Sequence, residues 1–254
     1  MLNKHSMKRF NPYSQTLYVV WLNQIIFWPL LIFNFSWPLV LLSIIMMYIF
    51  GCMSEISIHR FFAHRTFQTT PLKEKCLVAM ATLIGQGAIL SWVTVHRAHH
   101  AFEDTNKDPH SPKHIAKWRL VLGLFPRFDY KVNLVSDLIR MKYRRYFQFE
   151  NDYYWFIHTI IWIIAGLISF NLLFAIVSGS ALWYLCTQLV NIVAHSDIGE
   201  KEFPNEVAIN SKFLNYVTGA GYHNNHHARP KSHTYKTGNK IDPYAIVIEK
   251  IFIK

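Results

Sequence analysis

Two long stretches of this chain carry no formal charge: neither Phe10 to Ser54 nor Tyr153 to Ser196 contains an Asp, Glu, Lys or Arg. A helix needs about 20 residues to cross a hydrocarbon core of roughly 30 Å. Each run is about twice that, so each predicts a hairpin of two spans, turning at Asn34 to Pro38 in the first and near Asn171 in the second. Pro29 is expected to kink the first span. A soluble protein with two buried hairpins is the poorer alternative, because soluble helices seldom stay uncharged on every face.

Between the hairpins the pattern changes. Pro71 to Val95 places Leu72, Leu77, Met80, Leu83, Ile84 and Ile89 at helical spacing with charges only at its start, which predicts an amphipathic or half-embedded helix. A full crossing is the alternative, but it would put the flanking histidine-rich segments on opposite sides of the membrane. Lys113 to Asp152 mixes Trp118 with Arg119, Arg127, Arg140, Lys142, Arg144 and Arg145, as interfacial helices do. Asp242 followed by Pro243 marks a last helix start. No repeat or low-complexity linker divides the chain. The expectation is one all-α membrane domain: four transmembrane helices as two hairpins (10–54 and 153–196), with the segments 55–152 and 197–254 forming a helical cap.

Charge orients this arrangement. Every Lys and Arg lies in Met1 to Arg9, in Glu55 to Asp152, or after His195. The positive-inside rule then puts both termini and the cap on the cytoplasmic side. The net charge of +11 comes without a nucleic-acid motif and suits anionic lipid headgroups, an acidic partner or a phosphate-bearing substrate. The basic start precedes an apolar run too long for a cleaved signal, so it reads as a retained first span. Cys52, Cys76 and Cys186 show no paired spacing and fit a reducing compartment.

The chemistry lies in the histidines. Eight of the 14 fall in three clusters, His59 with His64, His96 with His99 and His100, and His223 with His226 and His227. The last two clusters share one spacing, and on a helix positions i, i+3 and i+4 lie on one face, so each triplet can aim its imidazoles into one volume. Gln188, Asn191 and His195 add a polar stripe at the end of the fourth span, where such residues are costly and mark function by default. Imidazole suits zinc, copper and iron alike, but eight or nine histidines exceed one structural zinc site and predict a dinuclear centre. Glu55, Asp104 and Asp108 are placed to orient ligands through their second ring nitrogens. His5, His110, His114, His158 and His233 lack cluster spacing and are expected to be structural.

An apolar, aromatic setting favours a redox metal over a hydrolytic one, because removing hydrogen from an unactivated methylene is beyond any side-chain acid or base. The three clusters, the stretch Asp104-Thr105-Asn106-Lys107-Asp108-Pro109-His110, and Asn191 with His195 resemble the membrane fatty acyl desaturases of the stearoyl, delta-9 type. The resemblance covers residues 40 to 240. His223 leads the third cluster where front-end desaturases carry Gln, and Arg60 stands where other relatives often carry an acidic residue.

The resemblance implies a cis double bond introduced with dioxygen by two irons. It gives the ligands as His59, His64, His96, His99, His100, His195, His223, His226 and His227, with Asn191 acting through a water. It implies an acyl tunnel lined by Gln86, Trp92 and Thr187, closing near Met47, Tyr48 and Gly51. Reduction would come from a separate ferredoxin or cytochrome b5. Thr94 and Val95 replace an Arg-Asp pair that helps hold coenzyme A in animal members, so an acyl thioester and an acyl lipid both stay open as substrates, with Arg140, Arg144 and Arg145 available for phosphate. A hydroxylase using the same chemistry, or a metal-binding membrane protein without turnover, are the alternatives.

Overall fold

The computed structural model describes residues 14–126 and 132–253; the basic tail with His5, and Arg127, lie outside the described residues. Among the described residues the chain is helical, with no strand and one isolated antiparallel bridge between Glu200 and Asn210. Helix α1 (Ser14–Phe33) contains Pro29 without ending there. After a short turn α2 (Trp37–Ser54) starts with Pro38 in its first turn, where a missing N–H costs nothing. Helices α7 (Arg144–Ile168) and α8 (Phe170–Ala194) meet at Ser169, whose hydroxyl caps α8 by accepting the Leu172 N–H at 3.1 Å.

Three segments are long and apolar enough to cross a membrane, Thr16–Phe33, Trp37–Ala63 and Phe170–Ala194. The exception among the four expected spans is α7. Its first part carries Arg144, Arg145, Glu150 and Asp152, and its backbone leaves helical geometry at Tyr153 (φ −126°, ψ 25°). From there to Ile168 it runs only about 24 Å at 1.5 Å per residue. The outward faces are apolar all the same, with Ile32, Phe33, Leu167 and Ile168 all exposed.

The helix expected over Pro71 to Val95 is in fact two, α3 (Pro71–Leu83) and α4 (Ile89–Phe102). Gly85 and Gly87 between them take φ of 72° and 133°, which stops a continuous helix. Buried Glu150 secures the break: its carboxylate accepts the Ile89 N–H at 3.0 Å and the Thr82 hydroxyl at 2.8 Å. Burial pushes its carboxyl up to about 7. The interfacial stretch contributes α5 (Lys117–Val121), α6 (Ser136–Arg140) and the charged start of α7. Toward the C-terminus come α9 (Lys212–Thr218), α10 (His223–Ala228) and α11 (Pro243–Val247), the last capped by Asp242.

The main core joins α2 and the turns that follow it to α3, α4 and α8, through Phe50, Ile58, Phe62, Leu77, Val93 and Trp183. α2 and α8 approach closely because each offers a glycine to an aromatic ring. A Cβ on Gly51 would fall 2.6 Å from Trp183, and one on Gly179 would fall 2.5 Å from Phe50.

Candidate metal centre

The second span does not stay α-helical. From Glu55 to Ala63 it widens into a π-helix, with the His64 N–H bonded to the His59 carbonyl at 3.1 Å. The change matters for the first cluster. At 3.6 residues per turn, two residues five apart point about 140° away from each other. In a π-helix the i→i+5 bond brings the chain back to nearly the same side. The π winding thus puts His59 and His64 on one face.

The remaining ligand candidates arrive from three elements. α4 brings His96, His99 and His100, the end of α8 brings His195, and α10 brings His223, His226 and His227. All nine rings meet. Their ligating atoms sort into two groups of four, His59, His64, His96 and His226 in one and His99, His195, His223 and His227 in the other, with all atoms of a group within 4.8 Å of one another. His100 stands between them: its Nε2 lies 3.2 Å from His96 Nε2 and 2.9 Å from His226 Nε2, and it forms a further group with His226 and His227.

Whether a cation fits depends on the protons. Carboxylates accept from Nδ1 of four histidines: Glu55 from His59 at 2.8 Å, Asp108 from His99 at 2.8 Å, Asp104 from His195 at 3.3 Å and Glu103 from His227 at 3.1 Å. That fixes the proton on Nδ1 and leaves Nε2 as a bare lone pair. Those lone pairs face other imidazoles: His59 Nε2 is 3.1 Å from His226 Nε2, and both His195 and His227 point Nε2 at His223 Nε2 from 3.1 Å. One proton on His223 can serve only one of its two neighbours, and the Nε2 of His99 is buried with no partner at all. Burial also holds His64, His96, His99, His223, His226 and His227 well below the usual imidazole range, and His100 at about 3. Two nests of neutral, inward-facing nitrogens suit two metal ions.

Sequence reasoning found Glu55, Asp104 and Asp108 but missed Glu103, hidden beside Asp104, which serves the third cluster. It also missed the two arginines inside the clusters. Buried Arg60 pairs with Asp242 at 3.0 Å and donates to the His233 carbonyl at 2.6 Å. Arg97 chelates Asp137 at 2.7 and 3.0 Å and grips the carbonyls of Phe62 and Ala63 at 2.9 and 2.7 Å, tying the second cluster to the first. A charged side chain within a run of ligand histidines is the signal by which sequence could have found them. α10 is held by Asn210, which donates to Asn225 Oδ1 at 2.8 Å and accepts the Asn224 N–H at 3.0 Å.

A mostly apolar cavity opens against these rings. Gln86, Trp92, Thr187 and Asn191 line it together with His59, His96, His223 and His226. Gln86 accepts the Thr187 hydroxyl at 3.3 Å and leaves its Nε2 buried and unpaired, while Trp92 stacks on His96 with centroids 4.8 Å apart. Asn191 donates to Gln188 at 3.4 Å. Of the residues expected at the closed end, Met47, Tyr48 and Gly51 lie outside this lining. Trp183 lines the cavity and packs on Gly51, while Met47 packs on Cys186 and Tyr48 turns outward to bond the Tyr216 carbonyl at 3.3 Å. Arg140, Arg144 and Arg145 are not in the lining either.

Of the histidines expected to be structural, His158 bonds the Thr82 carbonyl at 3.0 Å, His114 the Asp104 carbonyl at 2.9 Å, and His233 pairs with Glu249 at 3.0 Å. His110 differs, stacking on His99 with centroids 4.3 Å apart and lining the cavity.

Known proteins are similar to this chain in sequence. The delta-9 acyl-lipid desaturase 1 of Arabidopsis thaliana is 30% identical over 203 residues, which cover 77% of this chain and 66% of the relative. The sn-1 stearoyl-lipid 9-desaturase of Anabaena variabilis is 30% identical over 219 residues, covering 77% and 73%. An acyl-CoA 5-desaturase of Anemone leveillei is 30% identical over 210 residues, covering 77% and 63%. The chain thus spans about two-thirds of the length of these relatives. The fatty acid desaturase family model matches residues 35–239 and so takes in all three clusters and His195, and the chain belongs to the fatty acid desaturase family.

Proposed function

We propose that the chain is an oxygen-dependent, membrane-embedded acyl desaturase that introduces a cis double bond, at position 9, into a saturated acyl chain. The observation that carries this reading is the pair of four-histidine groups set directly against an apolar cavity. Zinc or copper would also accept imidazole; iron is favoured by the family and by the need for an oxidant strong enough to break an unactivated C–H bond. When bound, two irons supply that oxidising chemistry together with dioxygen. His59, His64, His96, His100 and His226 are assigned to one ion, and His99, His195, His223 and His227 to the other, with Asn191 acting through a water.

The protein's own residues do the rest. Glu55, Asp108, Asp104 and Glu103 keep Nδ1 protonated and the rings oriented. Trp92, Gln86 and Thr187 position the methylenes beside the rings, and Trp183 sets the depth to which the chain enters. The three apolar segments, with α7 as a fourth and shorter span, embed the cavity in the bilayer with both termini and the metal centre on the cytoplasmic side. Acyl lipid is the favoured substrate, because two of the similar proteins carry that name and Thr94-Val95 lacks the pair associated with coenzyme A. Electrons come from an external ferredoxin or cytochrome b5.

The test is expression in a host lacking the product, with gas chromatography of its lipids and location of the new double bond. A cis-9 product that disappears in His99→Ala and His226→Ala supports the assignment. Unchanged lipids from a protein carrying two irons would refute it, and an oxygen-18-labelled hydroxy product would replace it with hydroxylation.

A further inference from the structure

Tyr235 belongs to none of the histidine clusters, yet it lies among them. Its ring packs on His226 with centroids 4.6 Å apart and lies 6.2 Å from that of His59, both in the first metal group. The side chain is 4% exposed and lines the same cavity as Gln86 and Trp92. Its hydroxyl is buried and makes no hydrogen bond.

The fold spends several contacts to hold this ring in place. The Tyr235 N–H donates to Asp242 at 2.9 Å, its carbonyl accepts from Asn225 at 2.8 Å, and the Arg60 guanidinium lies 4.2 Å over its face. Asp242 is the same carboxylate that pairs with Arg60, and Asn225 lies inside the third cluster, so the ring is fixed to two of the ligand-bearing segments. A packing role would be filled as well by phenylalanine. Burying a hydroxyl without a partner is costly, and an unpaired group of this kind beside a reactive site calls for a ligand that completes it.

We propose that Tyr235 is a hydrogen-bond donor to the small polar ligand that occupies the cavity beside the first metal group, water in the resting protein and the oxygen-derived co-substrate during turnover. The proposal rests on the metal-centre reading above and assigns a residue outside the histidine clusters to it. Tyr235→Phe removes only the oxygen atom and keeps the ring contacts with His226 and Arg60.

Azide, added to the oxidised, iron-loaded protein, is the probe, with its affinity read from the charge-transfer absorption it produces. Expected for Tyr235→Phe are a full iron content and azide binding about tenfold weaker or more. In the unsubstituted protein the azide stretching frequency should move between H₂O and D₂O, and in the variant it should not. Full iron with unchanged azide affinity overturns the proposal, as does loss of iron from the variant, which would make Tyr235 a support for the ligands alone. Should Tyr235→Phe fail to fold, an isotope-insensitive azide band in the unsubstituted protein overturns the proposal by itself. Absence of iron from the unsubstituted protein removes the metal-centre reading first, and this proposal with it.

Discussion

Glu103 shows how much a single side chain can decide. It holds Nδ1 of His227 at 3.1 Å, so its loss frees one imidazole to turn or to change tautomer. Glu103→Ala is expected to weaken iron binding about 10- to 100-fold, seen as fewer irons per chain when the metal is titrated at limiting concentration. Trp183 and Gly51 form a second residue-scale lever. Trp183→Leu should lengthen the acyl chain accepted, because the indole lines the cavity and a smaller side chain there leaves more room. Gly51→Ala should shorten it, because the new methyl would drive the ring inward from 2.6 Å; fatty-acid profiles of an expressing host check both. Glu55, Asp104 and Asp108 were readable from sequence because each lies within a few residues of a cluster. Trp183 was not, since only the crossing of α2 and α8 sets it on Gly51.

At the scale of elements, the clusters are precise because helices are locked to one another. Arg97 joins α4 to the carbonyls that end the π segment and to Asp137 of α6. Lysine has the charge without the planar fork, so Arg97→Lys is expected to lower the thermal midpoint in detergent and the iron content together. Glu150 adds a pH dependence. Its carboxyl is raised to about 7 in the fold, from 4.5 in the unfolded chain. The raised value favours the protonated form, so its contribution is complete below about 4.5 and is lost as pH rises through about 7. Glu150→Gln should flatten the fall of the thermal midpoint across that window, measured against the unsubstituted protein. The three long apolar segments were legible within two uncharged runs, and the triplets as i, i+3, i+4 patterns. The π segment was not, because His59 and His64 at i, i+5 fit no regular α face. Neither was the break at Gly85 and Gly87, which depends on a buried partner 61 residues away from Ile89.

For the whole molecule, the nine histidines make the metal centre a junction of the second span, α4, α8 and α10. Chelation of iron should therefore lower the thermal midpoint by several degrees and loosen all four elements at once in hydrogen exchange, with both effects reversed on adding ferrous iron. Both four-histidine groups also draw on α10, and His59 and His226 are 167 residues apart. Neither nest can close until the chain has been made as far as α10. Until then the earlier imidazoles lack their counterparts, so a product cut short before α10 is expected to assemble neither group.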